Sequence, residues 1–481
     1  MMPLPYIQEF LPNPPVELAL RAFRDWPQLV LFDSALPRAG LGRYSFLSAE
    51  PFELFEEPVR YGHAPFERSA GVLEEFRSPT IPGLPPFQGG AAGLLSYELG
   101  GCFERLPAPR WNPLQMPGAV IGIYDWTIAW DHERDRCWFI GHGYPEETEA
   151  TRLSRAETQF RIIQSALTRT AGEASSDAVS HPLPMTPQET VFPADFPRSP
   201  LPFVPGLFSN FDHDGYLQAV QRVIDDIFAG DIFQANLSQQ LWVPASLDPV
   251  DQYLVLRQKN PAPFSGCFLS EDWAILSSSP ERFVQKQSDR ISTRPIKGTR
   301  QRRQVPEADL YTRDELRESE KDRAENVMIV DLLRNDFSRV CRPGSIQVPE
   351  LCQVEGYETV AHLVSEVRGQ LRQDNTFWDA LQATFPGGSI TGAPKIRAME
   401  IITELEQTAR GAYCGSLFYH GFDGTADSNL LIRTMTQRHG WLSLPAGGGI
   451  VALSTPEDEY QETLHKVRGL LQALPGSPHG Q

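Results

Sequence analysis

Four β-prone runs, Ile232 to Val243, Ala274 to Ser278, Arg282 to Gln287 and Arg290 to Ile296, succeed one another without the strand–helix–strand rhythm of a doubly wound protein. The last two are separated only by Ser288-Asp289, too little chain for the crossover that parallel neighbours need, so they form a hairpin. This points to an α+β chain with mixed or antiparallel sheets. It also raises a question of register. Opposed residues of an antiparallel pair share a face, so an odd loop centred on Asp289 places Glu281 beside Lys297, whereas an even loop sends them to opposite faces. The odd loop is the expectation. It would set a proton donor beside an amine.

Helical spacing surrounds these strands. Tyr216, Leu217, Val220, Ile224, Ile227 and Phe228 recur at three- and four-residue steps, and Gly230 ends the run. Further helices are expected at 149–167, from about 313 to 337, and at 377–384, 395–407 and 457–474. Strands are expected at 29–32 and 118–124, and the glycine-rich 89–97 stretch implies a strand or a tight backbone approach. Residues 1–167 read as an N-terminal α/β region, 168–212 as a Pro/Ser-rich linker, 213–474 as the region carrying the chemistry, and 475–481 as a tail.

The totals exclude several classes. A net charge of −18 argues against nucleic acid, which wants basic patches, and means that an anionic ligand must be held by local cations. No run of 18 apolar residues occurs, so no membrane span is expected, and the N-terminus lacks the features of a secretory signal. Six scattered cysteines with no Cys-x-x-Cys fit reduced thiols in a cytoplasm.

Pro295-Ile296-Lys297-Gly298-Thr299-Arg300 sets a lysine between a β-prone run and a Gly-Thr turn. Exposed backbone N–H groups beside such a lysine suit an anionic substrate and a nucleophilic amine. Two acidic pairs, Asp322/Glu325 and Glu459/Glu462, are spaced i, i+3 on expected helices, so each pair shares a face. Together they suit Mg²⁺, although either pair alone reads first as a solvated acidic face. Gly298-Thr299, Pro386 to Gly392 and Gly447-Gly448-Gly449 are glycine-rich turns with N–H groups to offer, and none fits a nucleotide phosphate loop. Arg433, in the strand-like Leu430-Leu431-Ile432-Arg433, needs a partner that a substrate carboxylate could supply.

In order along the chain, these stretches resemble the chorismate-utilising enzymes, which include anthranilate, aminodeoxychorismate, isochorismate and salicylate synthases. The matching segments are Gly230–Ser238, Ser279–Phe283, Pro295–Arg300, Asp322–Asn326, Asp331–Asp336, Gly388–Lys395, Tyr413–Ser416, Ile432–Thr434, Gly447–Val451 and Glu459–Thr463. Leu31–Ser34 and Gly42–Phe46 resemble the non-catalytic region of the anthranilate and aminodeoxychorismate synthase large subunits. The resemblance implies an anthranilate-synthase-like α+β fold of two subdomains, with packed antiparallel sheets and outer helices. It implies Mg²⁺ on Glu325 and Glu462, with Asp322 and Glu459 in support through water. Tyr413, Arg433 and the Gly447, Gly448 and Gly449 backbone would hold chorismate, with Gln234, Gly298, Thr299, Ser389 and Lys466 lining the rest.

Two positions sort the activities within that family. Water-using members carry a basic lysine where this chain has Gln234, which argues against isochorismate and salicylate. Anthranilate synthases typically have alanine where this chain has Lys297, whose presence implies amination of chorismate at C4, on the way to 4-aminobenzoate and folate. Lys297 would be the nucleophile and Glu281 the acid, with His362 assisting. Ammonia would come from a separate glutamine amidotransferase subunit in a heterodimer. The competing readings are anthranilate formation and a catalytically silent regulatory subunit. Ser34, Arg43, Tyr44, Pro263 and Phe264 resemble a tryptophan-binding region of relatives, and Leu453 stands where relatives often have Asp.

Overall fold

Antiparallel pairing governs both sheets of the computed structural model, which describes residues 4–36, 42–173, 186–301, 314–356 and 360–476. One sheet has 13 strands, with the central order Leu29–Asp33, Phe264–Leu269, Trp273–Ser279, Thr434–Arg438, Trp441–Ile450, Gln234–Pro244. The other has 10 among the described residues and runs from Ile296–Gln301 through Val360–Gln370, Arg290–Thr293, Arg282–Gln287, Ala426–Asn429, Ser416–Gly421, Gly90–Leu95 and Ala119–Tyr124 to Glu53–Glu57. The two meet face to face over an apolar seam in which Tyr419 packs on Phe46 and Phe87, with ring centroids 5.5 and 4.9 Å away. Helices Val16–Ala22, Glu149–Glu173 and Pro249–Lys259 cover the outside of the first sheet, and Glu320–Ser338 and Phe377–Thr384 that of the second. The fold is thus α+β, with packed antiparallel sheets and outer helices.

Each sheet takes strands from both 1–167 and 213–474. Between these regions the helix continues to Glu173, and Ser199–Pro200 and Phe208–Ser209 extend the first sheet beyond Gln234–Pro244. Phe192 and Phe196 pack on Trp242, so the Pro-rich stretch contributes to the core as well as connecting.

The hairpin register differs from the expectation. Gln285 pairs with Ser292 and Gln287 with Arg290, leaving the two-residue loop Ser288-Asp289. Ser288 has φ 55°, the left-handed conformation that two-residue hairpins use. The loop is therefore even. The expected strand from Arg290 to Ile296 is also two strands, divided at Arg294-Pro295, both pairing with Val360–Gln370. A bulge at Gly298, φ 64°, follows Lys297. Glu281 and Lys297 are brought together by this break and bulge and not by direct cross-strand opposition. Two further expectations change. Gly447–Gly449 lies inside strand Trp441–Ile450, opposite Asn236–Ser238, and is not a turn. Arg433 sits in the link before Thr434–Arg438 with φ 50°, outside any strand.

The helix expected from about 313 is interrupted: 314–318 is helical, and Glu320–Ser338 starts afresh after Ser319, whose hydroxyl caps it by accepting the Asp322 N–H at 3.3 Å. All six cysteines are free and buried, and no helix among the described residues is long and apolar enough to cross a membrane. Ser319→Ala removes the cap that starts the helix bearing Asp322 and Glu325. It should cost about 1 kcal/mol in urea unfolding while leaving the far-ultraviolet circular dichroism unchanged.

Candidate active site

Three segments converge on Lys297. The amine comes from strand Ile296–Gln301, Glu281 from the link after Trp273–Ser279, and Ser389 from the short helical turn Gly388–Ile390. Lys297 Nζ donates to the Ser389 carbonyl at 3.1 Å, and the Ser389 hydroxyl donates to Glu281 Oε1 at 3.0 Å. Ser389 thus joins the two groups through its backbone and its side chain.

Burial moves both charges toward neutrality. Glu281 is 4% exposed, and burial pushes its carboxyl up to about 7 against the pull of Lys297, the Ser389 hydroxyl, the Ile296 N–H and Arg433. The Lys297 ammonium is lowered from its ordinary value, first by burial and also by Lys466, with Glu325, Glu281 and Glu462 opposing. A protonated carboxyl beside a neutral amine is the state in which one can give a proton while the other bonds to carbon.

Beyond Lys297 lies a wall of carboxylates from helices Glu320–Ser338 and Pro456–Leu471. Burial raises Glu325, and Asp322 and Glu459 add repulsion against the pull of Lys297 and Lys321. Burial also raises Glu459, with Glu462 adding to it. At Glu462 burial acts in the same direction, but the Lys466 contact at 2.6 Å outweighs it and leaves that carboxyl lowered. Glu459 Oε2 is buried with no hydrogen-bond partner among the described residues. The glycine strand allows this crowding: a Cβ on Gly448 would lie 3.0 Å from Glu459 Oε2 and 3.5 Å from Glu462 Oε1. At the Gly298 bulge a Cβ would meet Asp322 Cγ at 2.9 Å. Repelling carboxylates with an orphaned oxygen are a donor set suited to a divalent cation. Lys321, 3.4 Å from Glu459, and Lys466 supply positive charge there, and no three His, Cys, Asp or Glu side chains among the described residues are gathered tightly enough to close on a metal ion.

The remaining candidates are distributed around this centre. The Arg433 guanidinium faces Glu281, and burial lowers its pKa. Gln234 is fully buried, both its amide atoms lack partners among the described residues, and it presses on Gly449. His362 is buried on Val360–Gln370, opposite Thr299, whose side chain lies outside the described residues. Tyr413 is buried, which lifts its phenol well above 10. Ser34, Arg43, Tyr44, Pro263 and Phe264 gather elsewhere, around a cavity of about 370 Å³ between the sheets, where Arg282 and Asp427 also line the wall.

Three residues escape notice in the sequence. Lys321, beside Asp322, resembles any lysine in a solvated first turn. Glu406 and Arg410 look like an exposed helical i, i+4 pair, yet the helix ends at Glu406 and both side chains are buried.

Residues 53–472 match the family model of chorismate binding enzymes, so the chain belongs to that family. The match begins well before residue 213. Aminodeoxychorismate synthase component 1 of Escherichia coli strain K12 is 42% identical over 389 residues, 81% of this chain and 78% of that protein. Anthranilate synthase component 1 of Streptomyces coelicolor is 38% identical over 445 residues, 92% of this chain and 83% of its own. The crystal structure of anthranilate synthase component I from Streptococcus pneumoniae TIGR4 superposes with a TM-score of 0.72 at 29% identity, covering 91% of this chain and 93% of that one.

Gly448→Ala puts a methyl between the carboxylates. It should weaken chorismate binding, followed by calorimetry, by about tenfold or more while the protein stays folded, since one misplaced ångström at a site has effects of this order.

Proposed function

We propose that the chain aminates chorismate at C4, giving 4-amino-4-deoxychorismate for 4-aminobenzoate and folate synthesis. The observation supporting this reading most directly is the half-buried Lys297, tied through Ser389 to a Glu281 that burial keeps partly protonated. The Lys297 amine bonds to ring C2, both ring double bonds shift one place round through C1, C6 and C5, and the C4–O bond breaks as Glu281 gives its proton to the departing hydroxyl. Water leaves, and the proton released by the alkylated lysine restores Glu281. Ammonia then bonds to C4, both double bonds shift back and the C2–N bond breaks. A proton from the new ammonium returns the lysine to its free form. The sum is chorismate plus ammonia giving aminodeoxychorismate plus water.

Mg²⁺ on Glu325 and Glu462, with Asp322 and Glu459 behind, would supply positive charge to the ring carboxylate. The crowded carboxylates and the free Glu459 Oε2 fit that assignment. Arg433 and Tyr413 would take the enolpyruvyl carboxylate beside the Gly447–Gly449 backbone, with Lys466 near and His362 assisting at the leaving group. Ammonia would reach the site from a glutamine amidotransferase partner in the cytoplasm. Anthranilate formation is the second reading, favoured by the longer alignment with the Streptomyces relative.

Chorismate, ammonium and Mg²⁺ should yield aminodeoxychorismate on chromatography; fluorescent anthranilate as the direct product would reverse the choice. Without ammonia, intact-protein mass spectrometry should find a substrate-derived adduct that Lys297→Ala abolishes.

Glu281 must be protonated to act. Log kcat should therefore lose one unit of slope with rising pH near 7, where this carboxyl gives up its proton. Glu281→Gln should remove that break and lower kcat by about 10² to 10⁴.

A further inference from the structure

Arg410 is 2% exposed and sends its guanidinium to three segments of the site wall. Nε and Nη2 grip Glu406 at 2.9 and 2.6 Å, Nη1 donates to the Ile390 carbonyl at 3.0 Å, and Nη2 also reaches the Asn236 carbonyl at 2.5 Å. Glu406 in turn accepts the Ser238 N–H and hydroxyl at 2.7 and 2.8 Å. The Arg410 and Gly411 N–H groups are held by Glu98 at 2.7 and 3.0 Å, and the guanidinium lies over the Tyr97 ring, 4.6 Å from its centroid.

A pair that only neutralised Glu406 would leave the remaining donors free for any acceptor. Here they reach the carbonyl directly after Ser389 and one on the strand that faces Gly447–Gly449. Only a planar fork with five N–H groups spans these directions at once.

Resting on the roles of Glu281 and Lys297 given above, we propose that Arg410 is a positioning residue: through the Ile390 carbonyl it fixes the Gly388–Ile390 turn, and so holds Ser389 where it orients the acid and the amine together.

The groups facing each centre separate cleanly. Glu281 faces Lys297, Arg433, the Ser389 hydroxyl and the Ile296 N–H. Arg410 faces Glu406, Tyr97, Tyr413, Cys414 and Glu98. Burial also lifts Glu98 to about 7, but it holds the Arg410 and Gly411 amides, so Ser389→Ala distinguishes it from Glu281.

The test uses the full chain with chorismate, Mg²⁺ and ammonium. Arg410→Lys should lower kcat by about tenfold to a hundredfold, with a smaller change in KM for chorismate. It should also move the break near pH 7 upward, because a displaced Ser389 no longer stabilises the Glu281 carboxylate. Ser389→Ala should move the break the same way, and the double variant should be no worse than the more impaired single variant. The break does not depend on the folded fraction, so partial unfolding leaves it readable. If Arg410→Lys yields no folded protein, Arg410→Gln is read in its place and should show the same shift. An unmoved break in the folded Arg410 variant, or effects on kcat that multiply in the double variant, overturns the proposal. A break unmoved by Ser389→Ala refutes the Glu281 assignment first, and the inference falls with it.

Discussion

An ammonium taken out of water must either find partners or lose its proton, and the packing around Lys297 serves both ends. Burial presses the amine toward neutrality while Glu325 and Glu281 pull it back. Glu281 feels the reverse balance. Neither group is held by a simple ion pair. A direct buried pair would stabilise both charges and leave nothing to react. Ser389 stands between them, taking a proton donor on its carbonyl and giving its hydroxyl to the acid.

That arrangement depends on backbone coming unusually close to side chains. Trp441–Ile450 presents Gly447, Gly448 and Gly449 where other strands present side chains, and helix Pro456–Leu471 brings Glu459 and Glu462 against Gly448. A pleated strand free of side chains can place N–H groups and open space beside acids, which a turn could not hold so rigidly. The Gly298 bulge does the same on the opposite side, next to Asp322. Both sheets and both acidic helices are therefore needed before the candidate site is complete.

The sequence was most legible where local rules act alone. Helix Phe377–Thr384 follows from its apolar period and the Thr376 N–H held by Asp379, and its ends fall where expected. The antiparallel class followed from chain length between strands. Register failed, because one residue in a left-handed turn converts an odd loop to an even one. Proximity of Glu281 and Lys297 survived that error only because the Pro295 break and the Gly298 bulge restore it by another path. A run of glycines reads as a turn until its partner strand is known. Arg410 was invisible for a similar reason: its four acceptors come from Asn236, Ile390 and Glu406, brought together by tertiary packing that no periodicity records.

Charge gives the last constraint. Chorismate carries two carboxylates, and a chain of net charge −18 repels it from a distance. Attraction must be generated within the site, where low dielectric strengthens each interaction and salt screens it less. Lys297, Arg433, Lys466 and Lys321 supply that local field, but Lys321 and Lys466 already pair with Glu459 and Glu462. On the proposed chemistry, a divalent cation on the carboxylates would release those lysines and reverse the sign of the wall that the ring carboxylate meets. The same acids that deter the substrate in their bare form would then become its anchor, and selectivity for a dianion would follow from the metal and Arg433 each taking one of its two carboxylates.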